Sequence, residues 1–228
     1  MSRMPPADQR FGTGPLARAA ALVYTLLTVE ACVLLATAPG LAGLTLLGPG
    51  PGNLPLAALC ALPAGPALAA AVYAMDRRRP DLTDLHPAAA FRRGYRACWR
   101  PATLVWAAVL VWLTVLSVNL ALLPAVLPGW WALPLAAVAL VVALCGLNAL
   151  VVVALFAFRL RDVGRLAWWS LGHAPATTAG NTGLLAVALC VTLAWSEAAL
   201  LAMASVFAWA LRVTAAPMIA AIRTDFTR

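Results

Sequence analysis

The segment from Asp76 to Pro101 reads DRRRPDLTDLHPAAAFRRGYRACWRP, and it decides how the chain is organised. It is the one long polar stretch, and apolar runs flank it on both sides. It contains seven of the sixteen basic residues, namely Arg77, Arg78, Arg79, Arg92, Arg93, Arg96 and Arg100. Clustered arginines beside membrane spans resist translocation, so this segment predicts which side of a bilayer it faces.

Composition places the chain among all-α, polytopic membrane proteins. Of its 228 residues, 64% are hydrophobic and only 11% are charged, and the mean hydropathy is +0.90. Apolar runs of about 20 residues recur, which is the length that a helix needs to cross about 30 Å of hydrocarbon. The net charge of +8 predicts contact with anionic lipid headgroups or an acidic partner at the membrane surface. We expect no nucleic-acid partner.

The apolar runs predict a six-helix transmembrane bundle that forms a single membrane domain over 1–228. The predicted spans are 17–38, 54–75, 102–123, 132–158, 176–195 and 198–222, with basic cytoplasmic loops at 76–101 and 159–175. If both termini are cytoplasmic, every arginine except Arg212 lies on or beside the cytoplasmic side, and the external loops contain none. This asymmetry predicts a multi-pass protein of the cell inner membrane with both ends inside.

The second predicted span contains a helix break. Pro63, Gly65 and Pro66 lie in its middle, and each proline removes one backbone donor. Such a break is tolerated only where neighbouring groups bond the freed carbonyls. Small residues at Ala61, Gly65 and Ala69 recur every four positions, so another helix is expected to approach this face closely.

The second half of the opening segment predicts a short interfacial cytoplasmic helix. Its aromatic residues recur at i, i+4 and i+8, and its arginines form a neighbouring row. Rings in the acyl boundary with guanidinium groups at the phosphates are typical of a helix lying in the membrane interface. We therefore predict lipid or partner binding by Phe91, Arg92, Arg93, Tyr95, Arg96, Trp99 and Arg100.

Four polar residues are predicted to lie inside spans: Glu30, Asn119, Asn148 and Arg212. Asn119 is expected near the level of Glu30, in the outer third of the bilayer, and Asn148 near the level of Arg212, in the inner third. One interpretation is a polar path through the bundle. The favoured interpretation is structural: Arg212 reaches the inner interface, and Glu30 is protonated or hydrogen-bonded to a neighbouring span.

The sequence indicates no catalytic residues, no cofactor and no metal site. Asp81, Asp84 and His86 are spaced too loosely to select an ion, and acidic residues here can instead cap the following helix. The five cysteines form no C-x-x-C pair, so neither a zinc site nor a disulfide is expected. Motifs of metalloproteases, serine hydrolases and P-loop enzymes are missing from the sequence.

Two blocks resemble the YesL-like family of bacterial membrane proteins, a domain of unknown function. Residues 62–73, LPAGPALAAAVY, look like the Pro-Ala-Thr-x-Ala-Leu stretch of the family's second span, with Gly65 where the family often has Thr. Residues 91–99, FRRGYRACW, look like the family's aromatic and basic loop. The resemblance implies an accessory role in carbohydrate uptake and implies no catalytic residues.

Three functions follow as hypotheses. The first is a non-enzymatic accessory or assembly partner of a carbohydrate ABC importer, in contact with its permease or ATPase. The second is a small transporter or channel whose polar path uses Glu30 and Arg212, since broken helices and midplane charges mark substrate sites. The third is a lipid-modifying membrane enzyme that uses Asp81 and Asp84. A water-filled cavity would favour the second hypothesis, and a dry, closed bundle would favour the first.

Overall fold

A computed structural model describes residues 15–48, 50–77, 86–122, 128–194 and 197–226. Within these residues the protein is all-helical, with no strand, so the predicted fold class is confirmed. Short 3-10 turns at Pro51–Asn53 and Gly129–Trp131 precede two of the helices. The helices are α1 (Pro15–Thr45), α2 (Leu54–Cys60), α3 (Ala64–Asp76), α4 (Pro87–Leu122), α5 (Ala132–Leu155), α6 (Leu160–His173), α7 (Pro175–Ala194), α8 (Glu197–Leu201), α9 (Ala204–Thr214) and α10 (Ala216–Phe226).

The helices have the length and hydropathy of a multi-pass membrane protein. Four unbroken stretches are long and apolar enough to span a bilayer: Leu16–Thr45, Pro87–Leu122, Gly129–Leu155 and Pro175–Ala194. Two further stretches are pairs of helices bent by 43° and 48°, the first at α2–α3 and the second at α9–α10. The described part of the chain therefore contains four candidate spans, or six if each bent pair is one span.

The core of the bundle is formed by α3 and the second half of α5. Nine of the 13 residues of α3 are buried, and so is nearly every residue of α5 from Leu144 to Ala154. Large apolar side chains on the surrounding helices are exposed instead, for example Leu35 on α1, Val111 on α4 and Leu193 on α7. Apolar side chains on the outside are expected where hydrocarbon, not water, is the solvent.

The helices break between α2 and α3, at residues 61–63, which includes Pro63 of the predicted break, whereas Gly65 and Pro66 lie in the first turn of α3. The indole nitrogen of Trp106 on α4 donates a hydrogen bond of 3.0 Å to the carbonyl oxygen of Ala61. A Cβ atom at Gly65 would lie 2.4 Å from the Trp106 Cβ and Cγ atoms. The small residue thus lets α4 approach the break, and the tryptophan supplies a donor where the turn has lost helical bonding.

Helix α4 differs from the prediction at Pro101. The predicted interfacial helix and the third span form one continuous helix of 36 residues, and Pro101 lies inside it. At 1.5 Å per residue, this helix is about 54 Å long, which exceeds the hydrocarbon thickness by about 24 Å. The arginine-rich first half is therefore an extension of the third span, stabilised because Gly94 contacts the ring of Tyr73 on α3.

Helix α1 also continues beyond its predicted end. It passes through Pro39 and ends at Thr45, whereas the sequence predicted an external loop from Pro39. A Cβ atom at Gly40 would overlap the carbonyl oxygen of Cys60, and one at Gly43 would lie 2.6 Å from the Cys60 sulfur. Close packing on α2 thus accompanies the extra helical turns of α1.

The second basic segment folds as the short amphipathic helix α6. Its buried residues are Val163, Leu166, Ala167 and Ser170, which share one face at helical spacing. This face packs against α5, while Arg161, Arg165 and Trp168 are exposed. Helix α6 therefore lies beside the core and presents its basic residues outward.

Candidate functional site

Glu30 binds the beginning of helix α9. Its Oε2 atom accepts a hydrogen bond of 2.7 Å from the backbone nitrogen of Ser205, the second residue of that helix. The amides of a first helical turn have no partner within the helix, and the helix dipole favours negative charge there. The Oε1 atom is buried without a hydrogen-bond partner among the described residues. Glu30 is thus an N-terminal cap contributed by another span.

Arg212 forms an ion pair that the sequence did not predict. Its Nη2 atom lies 3.0 Å from Asp76 Oδ1, and its Nε donates a hydrogen bond of 3.1 Å to the same oxygen. The Asp76 side chain is only 14% exposed. Arg223 on α10 approaches the other carboxylate oxygen at 3.9 Å. Asp76 therefore ties the end of α3 to both halves of the bent pair α9–α10.

Glu30 and Arg212 do not contact each other, as expected for two residues at different depths in the bilayer. Glu30 accepts a hydrogen bond from the Ser205 amide of α9, whereas Arg212, seven residues further along α9, pairs with the Asp76 carboxylate of α3. A cavity of about 200 Å³ lies beside them, between α1, α3, α4, α5 and α7–α9. Its lining includes Val33, Leu68, Leu147, Phe207 and Leu211, and neither charged residue belongs to it.

Two side chains on the wall of this cavity have polar groups, and both groups donate hydrogen bonds to backbone carbonyl oxygens of the protein. The Thr37 hydroxyl donates to the Val33 carbonyl at 2.9 Å, and the Trp106 indole donates to Ala61. The cavity therefore presents hydrocarbon and aromatic carbon to its interior. A polar solute would lose its hydration there without new partners, so this space does not suit the passage of ions or sugars.

Asn148 belongs to a buried chain of polar side chains across four helices. The Thr214 hydroxyl donates to Asn181 Oδ1 at 2.6 Å, and Asn181 Nδ2 donates to Asn148 Oδ1 at 2.9 Å. Asn148 Nδ2 then donates to the Ser170 hydroxyl at 2.9 Å, and Ser170 donates to the Ala167 carbonyl. Asn148, Asn181 and Ser170 are completely buried. This chain joins α9, α7, α5 and α6.

The sequence missed Asn181, Ser170 and Thr214 as partners of Asn148. Asn148 lies seven residues before the end of α5, and Asn181 lies six residues after the beginning of α7. Two amides at similar depth in different spans were the available signal, since a polar group in hydrocarbon needs a partner. Thr177 is also buried, and its hydroxyl has no hydrogen-bond partner among the described residues.

Asn119 contributes neither to the Glu30 contact nor to the chain of polar side chains around Asn148. Its side chain is exposed, and Nδ2 donates a hydrogen bond of 2.7 Å to the Val115 carbonyl of its own helix. The structure therefore does not bring Asn119 together with Glu30, which bonds the Ser205 amide instead. An amide that bonds its own helix in this way satisfies its own donor and needs no neighbouring span.

The arginines of α4 are all exposed, whereas its aromatic residues Phe91 and Trp99 differ in burial. Arg92, Arg93, Arg96 and Arg100 are exposed, and we call these four the α4 arginine surface. Phe91 is buried and its ring stacks on that of Tyr95 with centroids 6.1 Å apart, whereas Trp99 is 47% exposed and lies under the Arg100 guanidinium at 5.2 Å. The predicted shared aromatic face is therefore split between the bundle and its surroundings.

Two of the residues weighed as a metal site, Asp81 and Asp84, lie outside the described residues. The cysteines at positions 32, 60, 98, 145 and 190 are unpaired thiols.

Comparisons of the chain with protein-family models, with curated proteins and with solved structures gave no match. The resemblance to the YesL-like family, carried by residues 62–73 and 91–99, stays a prediction.

Proposed function

We propose that this polytopic helical membrane protein is a non-enzymatic subunit that assembles with another membrane protein. The observation that carries the proposal is that the two charges deep within the predicted spans, Glu30 and Arg212, form contacts inside the bundle. Glu30 caps α9, and Arg212 pairs with Asp76. A buried charge in hydrocarbon is costly unless it is paired, so these contacts account for both residues without a transported substrate.

The cavity beside these charges supports the same proposal over a transporter or channel. Its lining is apolar, and the Glu30 and Arg212 side chains do not line it. A path for ions or sugars needs groups that replace water, as the polar ends of broken helices do in transporters. Here the beginning of α9 is already occupied by Glu30 of the same chain.

The partner that we propose is the permease or the ATPase of a carbohydrate ABC importer. This identity rests on the resemblance to the YesL-like family. The proposed contact is the α4 arginine surface, which extends beyond the hydrocarbon on a helix about 54 Å long. We propose that this surface lies in the cytoplasm, with both termini on the same side of the inner membrane, because arginines are retained there.

Affinity purification of the full-length, tagged chain from its native membranes in a mild detergent tests this proposal. We expect a permease or ATPase to be recovered in near-stoichiometric amount, and its recovery to fall in R93Q/R100Q. The matched control is R161Q/R165Q, which removes two exposed arginines from α6. Consistent recovery of the chain alone, or equal loss of the partner in both variants, contradicts the proposal.

A further inference from the structure

We propose that a groove between α1 and α4 binds one anionic phospholipid. The phosphate is held by Arg92 and Arg96, and an acyl chain lies along the exposed face of α1. This site does not depend on a protein partner, so it goes beyond the proposed function. It assigns a specific ligand to two of the four arginines in the α4 arginine surface.

The floor of the groove is apolar and comes from two helices. Cys32, Leu35 and Ala36 of α1 face Phe91 and Tyr95 of α4 across it. The groove has a volume of about 670 Å³, within the range of about 300–1,000 Å³ that is usual for small-molecule sites. Leu35 is 79% exposed, so a large part of this floor has no protein cover.

Two arginines stand at one rim of the groove. Arg92 and Arg96 both line it, and they are one helical turn apart on the same side of α4. Neighbours at this spacing have Cβ atoms about 5–6 Å apart, close enough for both guanidinium groups to reach one phosphate. Both side chains are exposed, and within the described part of the chain no acidic side chain pairs with them.

The combination selects an amphiphile with a negative head. A soluble anion would use the arginines and leave the apolar floor open to water, which costs free energy in proportion to the area exposed. A neutral lipid would cover the floor and leave two guanidinium groups without a counter-charge. An anionic phospholipid covers the apolar floor with its acyl chain and supplies the counter-charge for both arginines. The α4 helix extends far enough for Arg92 and Arg96 to lie at the level of the headgroups.

The test uses the purified full-length chain in nanodiscs of phosphatidylcholine with a minor fraction of phosphatidylglycerol. Native mass spectrometry after transfer to detergent counts the lipids that stay bound. We expect one phosphatidylglycerol to be retained in preference to phosphatidylcholine. In R92Q/R96Q we expect this preference to fall about thirtyfold, since each arginine near the surface contributes about a fivefold attraction. Circular dichroism and a monodisperse elution profile report that each variant is folded.

The matched control is R161Q/R165Q, which removes the same charge from two exposed arginines of α6 outside the groove. We expect it to keep most of the preference. Equal losses in both double variants, equal retention of the two lipids by the wild type, or displacement of phosphatidylglycerol by millimolar glycerol phosphate each overturn the proposal. The last outcome would indicate a site for soluble phosphate.

A second measurement needs no variant and stands even if R92Q/R96Q does not fold. Phosphatidylglycerol with a diazirine on its acyl chain is incorporated into the same nanodiscs, irradiated and mapped by peptide mass spectrometry. We expect the adducts to concentrate on 32–36 and 88–96. Adducts spread evenly over the exposed faces of α5 and α7 contradict the site. Both measurements use the purified chain alone, so a failure to recover an ABC importer partner from native membranes would leave both results unchanged.

Discussion

The Arg212 Nη2 atom lies 3.0 Å from Asp76 Oδ1, which connects a bent helix pair to the residue at which the arginine-rich segment begins. The two residues are 136 positions apart in the sequence. The Arg212 side chain is 32% exposed and that of Asp76 is 14% exposed, so water screens the pair only in part. The contact fixes the end of α3 against α9 and leaves Arg212 with an internal partner.

Replacement of Asp76 by Asn should destabilise the bundle by about 1–2 kcal/mol, between the values for exposed and for buried ion pairs. The midpoint of thermal unfolding in detergent should fall by about 2–8 °C. Arg93→Gln is the control, because Arg93 is exposed and should tolerate the loss of charge. If D76N, R212Q and the double variant show additive effects, the two residues are not coupled and the ion pair has no energetic role.

Replacement of Glu30 by Ala should leave the Ser205 amide without its acceptor and cost about 1–2 kcal/mol, as the loss of a helix cap does. Glu30→Gln should cost less than about 1 kcal/mol, because its side-chain oxygen still accepts the hydrogen bond. Thermal unfolding of both variants in the same detergent measures the difference. A wild-type midpoint for E30A would contradict capping, and equal losses for the two variants would show that the charge matters more than the acceptor.

Replacement of Gly65 by Ala should force α3 and α4 apart, since the new Cβ would lie 2.4 Å from Trp106. Overpacking of this kind typically costs about 1–3 kcal/mol. Gly183→Ala on α7 is the matched control, because nothing lies within 4 Å of a Cβ there. We expect a lower unfolding midpoint for G65A and an unchanged or higher one for G183A. The reverse order would mean that α4 does not approach the helix break.

Replacement of Asn181 by Ala should remove the acceptor of Thr214 and the donor to Asn148, at a cost of about 1–2 kcal/mol. A double-mutant cycle with Asn148→Ala should give a coupling of about 0.6–1.7 kcal/mol, which runs from the average to the maximum found for hydrogen bonds between membrane helices. Asn119→Ala is the control, because that amide is exposed and bonds its own helix. A coupling near zero would remove the polar chain as a link between α5 and α7.

The sequence predicted the parts of the fold that depend on local pattern. Apolar runs of the length of a bilayer located the helices, and Pro63 located the break between α2 and α3, whereas Pro66 lies within the first turn of α3. The helix ends were less predictable, because Pro39 and Pro101 lie inside helices that close packing stabilises. Gly40 against Cys60 and Gly94 against Tyr73 are contacts between distant segments, which no local rule for proline takes into account.

The candidate site was predicted only as a set of isolated polar residues. Glu30, Asn148 and Arg212 stood out because each is unusual within an apolar run. Their partners did not, since Asp76 was predicted to begin a polar loop and Ser205 contributes only a backbone amide. Pairing across 136 or 175 positions depends on how the helices cross, and the pattern of a single helix contains no information about that.

The proposed function depends on the α4 arginine surface facing the cytoplasm. Arg93→Cys in a chain without its five native cysteines tests this directly, with a membrane-impermeant maleimide applied to intact cells and to inverted membrane vesicles. We predict labelling in the inverted vesicles and none in intact cells. Labelling of this cysteine from outside intact cells would contradict the topology on which the proposed function rests.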